Sequence, residues 1–122
     1  MKSNNFPQND GDFIPVYVPK TRPVYTLKTM EKGILLLEFQ DENASGKVWP
    51  YGYAGVMVHW AVLNKPPMLP EELVNHELAA YSPYELEFAE TDQGKTVYVA
   101  LCWMNSEGKT GPWSIVQSTV VL

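Results

Sequence analysis

The chain of 122 residues sets 14 acidic side chains against 9 basic ones, for a formal net charge of −5, and 45% of it is hydrophobic. That length fits one domain with a short tail, and that apolar share excludes wholesale disorder. An acidic chain with scattered basic residues has no stripe to track phosphates, so nucleic acid and anionic membrane surfaces are excluded as partners.

No run approaches the roughly eighteen apolar residues of a membrane span, and Met1-Lys2-Ser3-Asn4-Asn5 leads into no apolar signal core, so a cytoplasmic location is expected. Cys102 is the single cysteine, which rules out an intrachain disulfide. Residues 1–23 hold Pro7, Pro15, Pro19 and Pro23 among polar spacers and predict an extended, proline-rich, partly disordered arm. Within it, Phe13 to Val18 is a short apolar piece able to lie against something.

The expected domain occupies 24–122. Val24 to Leu27 is a candidate first strand. Ile34 to Asp41 reads as a second, with Leu35, Leu37 and Phe39 on one face and Glu38 and Gln40 on the other. Val56 to Leu63 predicts a third, its stronger face carrying Val56, Val58, Trp60 and Val62. Pro66-Pro67 stops it, and Leu69 to Val74 predicts one helical turn, with Pro70 at the first position and two acids behind it. Tyr84 to Phe88 alternates strictly, Thr96 to Met104 is a strong strand, and Trp113 to Leu122 predicts the last one. Short strands with turns at this spacing indicate an all-β antiparallel sandwich, not an α/β fold.

Gly94-Lys95-Thr96-Val97-Tyr98, the turn Asn105 to Gly108, and Gly111-Pro112-Trp113-Ser114 follow the order of motifs in the final hairpin of a fibronectin type III domain. Leu35-x-Leu37-x-Phe39 and Val56-x-Val58-x-Trp60 fill the places of its central core strands. From about Pro23 to Leu122 the chain therefore resembles that family, which implies a fibronectin type III or immunoglobulin-like sandwich of about seven strands. Gly55 to Trp60, Ser82 to Phe88, Gly94 to Tyr98 and Lys109 to Ser114 are also similar to the C-terminal domain of a group of uncharacterised Bacteroidetes proteins. Neither resemblance implies an activity. The fibronectin pattern turns Tyr98 inward, whereas counting back from the Asn105 turn puts Val97, Val99, Leu101 and Trp103 on the core face; the bulkier, more apolar set is taken as the inner one.

Little here carries chemistry. His59 and His76 lie in different elements with no neighbouring cysteine, which is not a zinc pattern, and no cofactor motif occurs. Glu85 and Glu87 form the wet face of a strand, so they are not a catalytic pair. No catalytic residue and no metal ligand is assigned, and a non-catalytic protein-interaction or structural module is expected.

Two features stand out. Trp49, Tyr51 and Tyr53 put three aromatics into five positions of one connection; such a loop stacks on a sugar ring or anchors a peptide, or else caps the core. The strands Val56 to Leu63 and Val97 to Met104 are also apolar on both faces, which a sheet with one wet face is not. His59, Tyr98, Cys102 and Met104 then mark an outer face needing a cover: the Phe13 to Val18 arm, a second copy in a homodimer, or another protein.

Overall fold

The computed structural model describes residues 18–44 and 49–122. Of the expected arm, Val18 to Arg22 fall in that range and Pro23 already belongs to the first strand; Phe13 to Tyr17 lie outside the described residues, as do Lys47 and Val48. The strands are β1 (Pro23–Met30), β2 (Ile34–Asp41), β3 (Tyr53–Val62), β4 (Asn75–Ala79), β5 (Tyr84–Glu87), β6 (Thr96–Asn105) and β7 (Gln117–Val120). They form two antiparallel sheets, β1-β2-β5 and β4-β3-β6-β7. Pro23 opens an edge strand, where a missing N–H costs no ladder bond.

The sheets face each other through the residues that alternation selects. Leu35, Leu37 and Phe39 of β2 and Leu86 of β5 meet Val56 and Val58 of β3 and Val97, Val99, Leu101 and Trp103 of β6 in one buried cluster. Burying side chains of this size contributes roughly 1.5–3 kcal/mol each, which decides the register of β6. The Val97 set is therefore the inner one and Tyr98 points to the other face, against the fibronectin pattern.

A different tyrosine ties the sandwich together. The hydroxyl of Tyr25 on β1 lies 2.7 Å from the Val99 carbonyl oxygen and 2.9 Å from that of Ile115, and it accepts the Gln117 N–H at 3.1 Å. Burial pushes its ionisation far above the ordinary phenol range, outweighing the Ser114 side chain and the Gln117 N–H, which favour the ionised form.

Two expectations need correction. The last strand is shorter than Trp113 to Leu122, because Tyr25 inserts its hydroxyl between Val99 and Gln117 and Ser114 takes over the bonding before that point. Ser114 N–H donates to Leu101 O at 2.7 Å while its hydroxyl accepts from Leu101 N–H at 2.8 Å. Secondly, Asn75–Ala79 forms an edge strand that its mixed composition does not announce; it forms because β3 offers a partner in register from Val56 to Trp60. Gly55 permits that approach, since a Cβ there would lie 2.4 Å from the Ala79 carbonyl oxygen. The predicted helical turn forms with Pro70 first, as a 3-10 turn, Pro70–Glu72, with the Glu72 carboxylate accepting the Met68 and Leu69 N–H groups at 3.1 Å each.

Candidate interaction surfaces

The three loop aromatics do different things. Trp49 stacks on Phe39 at 5.7 Å between ring centroids and stands edge-on to Trp103 at 5.5 Å. Tyr53 packs on Trp103 at 5.2 Å, and its hydroxyl accepts the Lys20 N–H and lies 3.3 Å from the Thr21 hydroxyl. Only Tyr51 of the three is turned to solvent, 79% exposed. A sugar platform needs free ring faces side by side; here two of the three rings are packed against the end of the core.

Beneath them lies a carboxylate that the sequence did not single out. Asp41, at the end of β2, is 4% exposed. Its Oδ1 accepts the Trp103 indole N–H at 3.0 Å and the Thr21 hydroxyl, and its Oδ2 accepts the Asn43 N–H at 3.1 Å. A buried carboxylate persists when donors surround it, and here Thr21 thereby ties the residues before β1 to Trp103 of the core.

On the outer face of the four-stranded sheet, the chain supplies part of its own cover. Leu73, just after the 3-10 turn, is buried against Ala61 of β3 and Ala100 of β6, with Leu63, Tyr98 and Trp113 packed around them. Trp113 also meets His59 edge-on at 4.6 Å. Two of the expected face residues, Tyr98 and His59, thus lie under or beside this internal cover, which is none of the three occupants foreseen for them. Cys102 is 2% exposed and offers no surface to a partner; burial pushes its thiol up to about 11, so it is a packed hydrophobe. Met104 remains half-exposed on the same face as Met57 and Leu78, which pair through Met57↔Leu78 and lie toward the Gly55 end.

No family model and no curated protein matches the chain. Among solved structures, the FN1–FN3 domains of chicken CNTN1 superpose with a TM-score of 0.62 at 12% identity, over 85% of this chain and 33% of that one. The chain thus spans about a third of the length of that structure. This is a fibronectin type III-like fold.

A fold of this kind carries no activity by itself, so any chemistry must be sought in particular residues. Among the described residues no three histidine, cysteine or carboxylate groups converge as metal ligands, and no helix is long and apolar enough to cross a membrane. A hollow of about 360 Å³ on the three-stranded sheet is lined by Val24, Thr26, Glu38, Gln40 and Ser82, among others. Its lining has one carboxylate and no histidine or cysteine, so it offers no acid–base pair.

His59, on the outer face of this fibronectin-like sheet, should make its stability pH-dependent. His59 and His76 are direct cross-strand partners, with rings stacked at 5.5 Å. Burial, then the proximity of His76, lowers the His59 pKa from 6.5, outweighing its bond to the Leu73 backbone. Below about pH 6.5 the unfolded chain therefore binds a proton that the folded one resists, and the stability present above that pH is lost as pH falls. The melting temperature of the wild type should drop from about pH 7.5 to pH 5 more steeply than that of His59→Gln. Equal slopes would show that His59 plays no part.

Proposed function

We propose that the protein is a non-catalytic interaction module that docks an apolar segment of another protein on the uncovered part of its larger sheet. The observation that carries this is the outer-face strip of Met57, Leu78 and Met104, beyond the reach of Leu73 and Trp113, with Leu78 41% exposed. Methionine side chains are flexible and polarisable, which suits a surface that adapts to a partner. The strip keeps Met104 of the residues picked out from sequence and replaces Cys102 with Met57 and Leu78. The carbohydrate reading has less support, since Trp49 and Tyr53 spend their rings on the core. The motif similarity to the Bacteroidetes group supports a source there and rests on sequence alone.

Photo-reactive residues placed at Leu78 and, as a control, at Glu85 on the opposite sheet test this reading in cells. A discrete protein adduct at position 78, absent at 85 and reduced by Met57→Lys, is expected. No adduct at 78, or the same adducts at both positions, would remove the reading.

A further inference from the structure

The four edge strands among the described residues differ in how they are protected. β1 carries Pro23 and Lys28, β4 carries His76 and Glu77, and β5 carries Glu85 and Glu87. Charged side chains and proline on an edge keep other strands away. β7 has neither, and from Thr110 to Leu122 the chain holds no charged residue at all. Its surroundings are instead apolar: Ile115 is 71% exposed, Val120 47%, and Val116 and Leu122 are exposed as well.

The hydrogen-bond pattern shows which groups remain outward. Val121 N–H donates to Lys95 O and Val121 O accepts from Gly94 N–H, so Val121 bonds towards β6. Antiparallel bonds alternate along a strand, so Thr119 also faces β6 while Ser118 and Val120 turn their N–H and C=O groups to the side where, among the described residues, the sheet has no further strand; only at the end of that side does Leu122 give its carbonyl to the Gly33 N–H, at 2.9 Å.

We infer that the free edge of β7 pairs antiparallel with β7 of a second copy of this chain, joining two four-stranded sheets across a two-fold axis at Ser118. About that axis Ser118 faces Ser118, Val116 faces Val120, and Gln117 faces Thr119, so the strand is complementary to itself. Valine opposite valine is a favourable cross-strand pair, and no like charges meet. That self-complementarity about a two-fold axis selects the second copy as occupant. Two chains of net charge −5 repel at the acid-bearing edges β4 and β5, and the neutral β7 lets them approach without opposing charges. The surface is separate from the Met57–Leu78–Met104 strip, and either can fail without the other.

Sedimentation velocity of the full chain from about 1 to about 500 μM should show a reversible monomer–dimer equilibrium, with the dissociation constant raised roughly tenfold or more in Ser118→Lys. Mixing Ser118→Lys with Ser118→Glu should restore association. Ser118→Cys gives a readout that survives if the lysine variant folds poorly. Directly paired residues with mutually facing bonds lie about 5.5 Å apart at Cα, within disulfide reach, so oxidation should yield a cross-linked dimer that Glu85→Cys does not form. A wild type that stays monomeric throughout would overturn the inference. So would a dimer indifferent to Ser118→Lys and uncross-linked by Ser118→Cys, or an edge that takes up only a foreign neutral peptide.

Discussion

Replacing Asp41 by alanine is expected to destabilise the domain by about 3–5 kcal/mol, because it leaves the buried Trp103 indole N–H without its acceptor and frees Thr21 and the Asn43 amide. Bonds to an ionised acceptor contribute about 1.5–3 kcal/mol each, and the orphaned donor adds its own desolvation cost. The melting temperature should fall by roughly 10–20 °C for a domain of this size. Asp41→Asn should lose less, since an amide oxygen can still receive Trp103 while the amide nitrogen then opposes the Asn43 donor. Thr21→Val should lose about 1–2 kcal/mol, since it removes the bond to Asp41 and the longer contact with the Tyr53 hydroxyl while leaving the indole satisfied. Chemical denaturation of the three variants checks the order. Asp41→Ala within about 1 kcal/mol of wild type would mean that the indole finds another acceptor.

Tyr25→Phe is expected to cost about 2–3 kcal/mol while leaving the ring's packing intact. The hydroxyl stands between β6 and the start of β7, and its loss leaves the Gln117 N–H and the carbonyls of Val99 and Ile115 to find one another across the gap. Gln117 still binds β1 through its side-chain amide, which donates to the Tyr25 carbonyl at 2.8 Å, so the fold should survive. Hydrogen exchange offers a local readout: the Gln117 amide should exchange markedly faster in the variant, with protection in the middle of β2 nearly unchanged. In the wild type, alkaline titration should show one tyrosine that ionises only when the chain unfolds, because burial holds Tyr25 far above the ordinary phenol range. Equal exchange at Gln117 in both proteins would show that the hydroxyl bonds contribute nothing there.

These two residues also mark the boundary of what the sequence could say. Alternation is a local property, so the bounds of β2, the inner faces of β2 and β3, and the wet face of β5 follow from neighbours two residues apart, whereas β6, apolar on both sides, had its inner face decided by burial against the other sheet. The charge balance and the lone cysteine were equally readable. The cover of the outer face was not. Leu73 lies outside the strands and Trp113 reads as the start of one, and only the docking of the β3–β4 connection and the turn after β6 puts them over Ala61, Ala100 and His59. Asp41 looked like a strand end and Tyr25 like an ordinary strand residue. Their partners lie 62 and 74 residues further along, so they acquire meaning once the two sheets close.

What the sequence determined by itself is therefore an all-β sandwich whose β3 and β6 are apolar on both sides. Tertiary structure alone decided which of those outer residues are buried by the chain and which remain for a partner. The reason is physical: strand periodicity is set by bonds between neighbours, while the covering of a sheet depends on contacts between segments far apart in the chain.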